Sequence, residues 1–212
     1  MKINRRQFVR NLGLGTASLS MGSLISTSSC APSGDSRDKR GKVSDDDQFL
    51  FIGDDIAIAQ TEYGKVQGYL LNHVYTFLGV PYGADTSGKN RFMPPQKPEP
   101  WTDVRPAVFY GNTAPQRMEN RWPNNYGTFA DHWNYWDVSE DCLYLNVWTP
   151  GIADGKKRPV LVWLHGGGFT NGSGIEQDGY HGENISREGD IVFCSINHRL
   201  GPIGFSDLSG VG

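Results

Sequence analysis

The sequence has 212 residues, of which 20 are basic and 23 acidic (net charge −3), with 37% hydrophobic and 12% aromatic content. That length fits one domain with extra segments at its ends, and the composition allows a packed core while excluding collagen, coiled coil and wholesale disorder. Four of the basic residues fall in the first 30 positions, which hold no acid, so the remaining 16 face all 23 acids; a body with a balance of −7 argues against nucleic acid as the partner.

The N-terminus has the layout of an export signal. Lys2, Arg5, Arg6 and Arg10 come first, a mildly apolar run from Leu12 to Ile25 follows, and small residues close it. The adjacent pair Arg5-Arg6, soon followed by Phe8-Val9, resembles the twin-arginine signal that a translocation receptor reads. An amphipathic helix opening the fold is the alternative, which Gly13, Gly15 and Gly22 weaken. No run of 18 apolar residues occurs, so no helical membrane span is expected. Thr27-Ser28-Ser29-Cys30 resembles a lipobox, with Thr27 in place of the usual Leu. Two readings of Cys30 stand: a lipidated mature N-terminus, or an unmodified cysteine in a discarded signal. Residues 31–48 hold no aromatic residue and, apart from Val43, no large aliphatic one, so they read as a polar tether. The predicted organisation is a signal over 1–30, a tether over 31–48 and a folded domain over 49–212. The protein is expected in the periplasm or cell envelope.

In the folded part, Ile56–Thr61, Lys65–Leu71 and Val74–Leu78 read as strands of a small antiparallel meander, with turns at Tyr63-Gly64 and Asn72-His73. Tyr82 to Gln116, rich in Pro and Gly, reads as irregular loop. Trp122, Tyr126, Phe129, Trp133, Tyr135 and Trp136 show no period; they read as a pocket wall or as a buried loop. Cys142–Trp148, Pro159–Leu164 and Ile191–Ile196 read as strands. The last two are nearly continuous apolar runs, which suits strands buried on both faces of a mostly parallel central sheet. The predicted class is therefore α/β.

The chemistry is expected directly after Pro159–Leu164, at His165-Gly166-Gly167-Gly168-Phe169. Glycines at a strand end permit positive φ and leave backbone N–H groups unshielded by a Cβ. Two such groups can receive the oxyanion that forms when an ester carbonyl is attacked. A structural glycine turn is the alternative on this motif alone. Neither a phosphate-binding G-x-x-x-x-G-K-[ST] nor a dinucleotide G-x-G-x-x-G fits here.

Longer motifs bear on the choice. Glu140 to Val147 reads EDCLYLNV, His165 to Phe169 reads HGGGF, and Arg91-Phe92, Pro95 and Trp101 fall in an RF…P…W order. Gly64 to Gly68, Phe77 to Gly83 and Asn197 to Gly201 add to these. Together they resemble the type-B carboxylesterases, the cholinesterase-like branch of the α/β-hydrolases. The resemblance runs from Ile56 to Gly212. It implies the N-terminal part of an α/β-hydrolase fold and serine-dependent hydrolysis of a small carboxylic ester, with no cofactor and no metal. By position, Gly167 and Gly168 would supply oxyanion N–H groups. Arg91 and Glu140 would form a structural ion pair, Arg199 would lack its usual partner, and the aromatic residues from Trp122 to Trp136 would form part of a gorge wall suited to apolar or aromatic esters.

No G-x-S-x-G occurs among the 212 residues. The expectation is a portion of a longer esterase that ends before its nucleophile elbow and is inert alone. A cholinesterase-like domain kept for binding or adhesion, or an inactive truncated product, is the alternative. Two positions depart from the family pattern. Ala114-Pro115-Gln116 stands where C-P-Q is usual, which leaves Cys142 as a free thiol or, less simply, a partner for Cys194. His198 stands where tyrosine is usual.

Overall fold

The computed structural model describes residues 49–117, 137–207 and 209–210. The expected signal, Cys30, the tether and the aromatic residues Trp122 to Trp136 lie outside the described residues. Nine strands are described: β1 (Leu50–Phe51), β2 (Ile58–Gln60), β3 (Lys65–Gln67), β4 (Tyr69–Leu71), β5 (Val74–Pro81), β6 (Arg105–Pro106), β7 (Tyr144–Thr149), β8 (Val160–Leu164) and β9 (Val192–Ile196). Two short helices accompany them, α1 (Glu183–Gly189) and α2 (Gly201–Phe205). Six strands form one sheet in the order β1-β4-β5-β7-β9-β8, and β2-β3-β6 form a second. In the large sheet only β8 and β9 run parallel; the other pairings are antiparallel. The parallel part of the predicted sheet thus begins at β8.

The segment Lys65–Leu71 is not one strand. It breaks at Gly68, with β3 in the small sheet and β4 in the large one. There the backbone passes so close to the Thr76 carbonyl oxygen that a Cβ would run into it, while the Gly68 N–H donates to the Ala57 carbonyl at 2.9 Å. Only glycine allows that approach. The Asn72-His73 turn forms where expected. Both residues have positive φ, 48° and 65°, and Leu71 pairs with Val74 across the two-residue loop. That is the twist a tight hairpin requires.

Side chains on both faces of the β5–β7 pair are buried. Phe77 packs with Ala57, Val66 and Ala107 beneath the small sheet. Val74, Leu78, Trp148 and Phe193 form the core of the opposite face. Helix α1 covers that second face, and its Ser186 hydroxyl donates to the Trp148 carbonyl at 3.0 Å. Cys142 and Cys194 are free and buried, so the disulfide alternative is excluded. Burial pushes their thiols up to about 12 and about 11, which keeps both protonated at neutral pH.

Strand β8 has the apolar run of a strand suited to burial on both faces, but among the described residues it lacks that cover. Its five residues are 37–64% exposed, whereas β9 beside it is buried at Phe193, Cys194 and Ser195. The apolar run foretold a strand but not its cover. β8 lies at the sheet edge, and among the described residues only β9 pairs with it. In a polypeptide of these 212 residues, Trp148→Ala should therefore lower stability by about 3–5 kcal/mol. Val162→Lys should change it by less than about 0.5 kcal/mol. Urea denaturation of the two variants beside the parent measures both, and equal losses would show that β8 is covered in solution.

Candidate active site

The glycine loop leaves the end of β8 and borders a cavity of about 610 Å³. His165, Phe169, His198, Arg199 and Phe205 face it, with Tyr82 from the end of β5. Three consecutive residues have positive φ: Gly167 at 120°, Gly168 at 60° and Phe169 at 63°. At Gly167 a Cβ would run into the Asn171 carbonyl oxygen; at Gly168 the space is open. The turn is closed by bonds to the Gly167 carbonyl from Thr170 N–H (3.2 Å), Asn171 N–H (3.3 Å) and the Thr170 hydroxyl (3.0 Å). These use the carbonyl of Gly167 and leave its N–H. Among the described residues, the Gly167 and Gly168 N–H groups donate to no protein acceptor. Such a pair can bind a negatively charged oxygen.

The loop is held at both ends. Gly201 N–H donates to the Phe169 carbonyl at 2.7 Å. Further on, Gly172 N–H donates to the Gln116 side-chain oxygen (2.8 Å), and the Gln116 amide returns a bond to the Gly172 carbonyl (2.9 Å). Gly174 N–H donates to the side-chain oxygen of Asn197 at 2.8 Å, whose amide donates to the Asn112 carbonyl at 2.9 Å. Tyr82 donates its hydroxyl to the Asn197 carbonyl at 2.7 Å. Burial is the main cause of the rise of the Tyr82 pKa to about 12, so it stays a neutral donor.

Gln116 and Asn197 were visible only as letters of motifs; nothing in their local pattern showed that each grips the limb after the glycines. Arg91 Nε donates to Glu140 Oε2 at 2.8 Å, and the Glu140 carbonyl accepts a short bond from the Thr86 hydroxyl. The arginine side chain is 49% exposed, so this is a surface pair partly screened by solvent. Arg199, expected to lack its usual partner, makes one described side-chain hydrogen bond, from Nη1 to the Met93 carbonyl at 2.8 Å. Ser173 is 1% exposed and its hydroxyl oxygen accepts from Ile175 N–H, a structural role.

Around the loop the aromatic rings form a row. His165 and His198 stack with centroids 4.4 Å apart and planes 2° from parallel. Phe205 stands edge-on to His198 at 5.8 Å and packs on Phe169 at 4.6 Å. Asn197, 3% exposed, is the residue on which the return limb depends most. Asn197→Ala should cost about 1–3 kcal/mol, because it strands the Gly174 N–H and the Asn112 carbonyl. Thermal or urea unfolding of the full-length gene product checks this, and a change within error would mean that water replaces the amide.

Comparison with known proteins matches this geometry to one family. Residues 55–210 match the model of the carboxylesterase family. The chain is 44% identical over 155 residues to phenmedipham hydrolase of Pseudarthrobacter oxydans, covering 73% of this chain and 30% of that one. It is 39% identical over 155 residues to para-nitrobenzyl esterase of Bacillus subtilis (strain 168), covering 72% and 29%. Among solved structures, an esterase from anaerobic Clostridium hathewayi, described as able to hydrolyse aliphatic aromatic polyesters, superposes with a TM-score of 0.69 at 38% identity. That match covers 78% of this chain and 32% of the other. The chain thus spans about 30% of the length of the relatives it matches. The described sheets, the glycine loop and these matches agree: the chain belongs to the type-B carboxylesterase family, a family of carboxylic-ester hydrolases.

Proposed function

We propose that the protein is an exported serine carboxylic-ester hydrolase in which Gly167 and Gly168 donate N–H bonds to the oxyanion of the attacked ester. The observation that supports this best is the pair of N–H groups that have no protein acceptor among the described residues, in a positive-φ turn at the edge of the cavity. A binding or adhesion domain has no need of such a turn. The nucleophile, acid and base of the reaction are not among these residues as a G-x-S-x-G elbow, and come in this proposal from further sequence of the same gene product. The substrate is a small ester with an apolar or aromatic group, consistent with the mainly apolar and aromatic lining of the cavity. Arg91 and Glu140 act in it as a structural clasp on the loop that holds Phe92 and Met93.

The test is hydrolysis of an aryl acetate by the full-length gene product. Gly167→Ala should lower kcat by about 100- to 1,000-fold with little change in KM, because its Cβ displaces the turn and its donors. Gly168→Ala should cost less, since only its φ is strained. Wild-type protein with no turnover on any ester would favour the non-catalytic alternative.

For export we propose the twin-arginine route, with Cys30 as a lipid attachment site. Arg5→Lys combined with Arg6→Lys should leave the precursor in the cytoplasm. Cys30→Ser should release the mature protein from membranes into the soluble fraction. Fractionation with an antibody to the folded domain reads both, and normal export of the double-lysine variant would point to the general secretory route.

A further inference from the structure

We propose that Asn171-Gly172 is a spontaneous deamidation site that Gln116 keeps closed, and that its opening would place a carboxylate against the glycine turn. Asn171-Gly172 is the one Asn-Gly pair in the sequence. Glycine after asparagine offers the least hindered backbone nitrogen for attack on the asparagine side chain, because no Cβ shields it. The fold leaves no other residue at 172. Gly172 has φ 113°, and a Cβ there would run into the Gly166 carbonyl oxygen and the His165 ring. The unshielded nitrogen is therefore imposed by the return limb of the loop, and its protection has to come from its neighbours.

The reaction needs no co-reactant at its first step. Gly172 N gives up its proton and attacks Asn171 Cγ, and the new Cγ–N bond closes a succinimide ring. The bond from Cγ to the side-chain nitrogen breaks, and that nitrogen leaves as ammonia with the proton lost by Gly172. Water then opens the ring at either carbonyl, giving aspartate or isoaspartate. Attack requires the Gly172 nitrogen to be unmasked and to swing toward Cγ. Both movements are blocked. Gly172 N–H donates to Gln116 Oε1 at 2.8 Å, and Gln116 Nε2 donates to the Gly172 carbonyl at 2.9 Å, so one side chain holds both polar groups of that residue. Asn171 N–H donates to the Gly167 carbonyl at 3.3 Å. Rotation about the bond between the two residues breaks this set, and each lost bond costs stability. The Asn171 side-chain oxygen lies in the space that a Cβ of Gly167 would fill. Deamidation would thus set a negative charge beside a glycine whose N–H has no acceptor among the described residues. Isoaspartate would also add a methylene to the main chain between the Gly167 and Gln116 anchors.

This inference rests on the proposed oxyanion role only for its effect on rate, so the experiment has two arms. In the first, the full-length gene product is held in mildly alkaline buffer, either folded or unfolded in guanidinium chloride. The peptide that holds Asn171 is followed by mass spectrometry and with an isoaspartate-specific methyltransferase. The folded wild type should deamidate there at least about tenfold more slowly than the unfolded chain, because two bonds of ordinary strength must open first. Gln116→Ala and Gln116→Val should raise the folded rate about 10- to 100-fold. Asn197→Ala, which frees the neighbouring Gly174 N–H but leaves the Gln116 clamp, should change it by less than about threefold. A folded wild type as fast as the unfolded chain, folded Gln116 variants as slow as the wild type, or an Asn197 variant as fast as the Gln116 variants overturns the proposal. Circular dichroism tells which variants fold. If neither Gln116 variant does, hydrogen exchange at the Gly172 amide of the wild type decides: protection supports the clamp, and free exchange overturns it.

In the second arm, aryl acetate hydrolysis is compared in Asn171→Asp and Asn171→Ser, the first bearing the charge that deamidation creates and the second a neutral side chain. Under the proposed oxyanion role, kcat of the Asp variant should lie about tenfold below that of the Ser variant, because its carboxylate opposes the developing oxyanion. Equal turnover by the two variants overturns the claimed effect on the turn and leaves the esterase proposal standing. If no ester is turned over even by the wild type, the esterase proposal fails and the first arm alone decides on Asn171.

Discussion

Complete hydrogen bonding of one buried amide holds the site together. Asn197 follows β9 directly and is almost wholly buried, where an unmet polar group would be costly. Its N–H donates to the Tyr144 carbonyl at the start of β7, its own carbonyl accepts from Tyr82, and its side chain joins Gly174 to Asn112. Four segments distant in sequence are thereby fixed to one residue. The return limb of the glycine loop, the first residues of β7 and the end of β5 cannot shift separately without breaking one of these bonds. Gln116 adds a two-bond clamp at Gly172 in the same limb. Rigid support outside a strained turn is what lets the turn itself be unusual.

The turn is unusual because three residues in a row have positive φ, and one of them is Phe169. A phenylalanine there costs roughly 1–2 kcal/mol relative to ordinary backbone. The Gly201 N–H bond to its carbonyl and the contact of its ring with Phe205 offset that cost. N–H groups with no acceptor among the described residues thus coincide with strain at one place, and the compensating contacts lie in α2 and the segment after β9. Under the proposed oxyanion role, a turn held this way would not have to reorganise when substrate arrives.

Much of this was legible in sequence, for physical reasons that differ by element. EDCLYLNV and the apolar run before the glycines announced β7 and β8, because a strand's pattern is local. Asn72-His73 announced its turn because both residue types tolerate the φ it needs. Gly68 did not announce its break: Lys65 to Leu71 looks like one strand, and only the approach of the Thr76 carbonyl, set by the fold, splits it. The apolar run of β8 marks a strand but not its cover, because burial depends on neighbours, and among the described residues only β9 pairs with it. Gln116 and Asn197 were readable as motif letters, but their bonds join positions 56 and 23 residues apart, which no window of sequence contains. The RF loop shows the same limit. The partnership of Arg91 with Glu140 was suggested by family resemblance, while the exposure of Arg91 needed coordinates.

The strand order of the large sheet has a consequence for synthesis on the ribosome. β7 and β8 are made in succession, yet they are not neighbours; β9, made some thirty residues later, lies between them, antiparallel to one and parallel to the other. A nascent chain that has emerged only as far as β8 has no correct partner for either facing edge. If those edges zip together early, the pairing must be undone before β9 can enter. The contacts of β9 also close long loops, which slows assembly. The interval between emergence of β8 and of β9 is thus the period in which this polypeptide is most open to mispairing with other chains, and the one in which a holding chaperone would matter most.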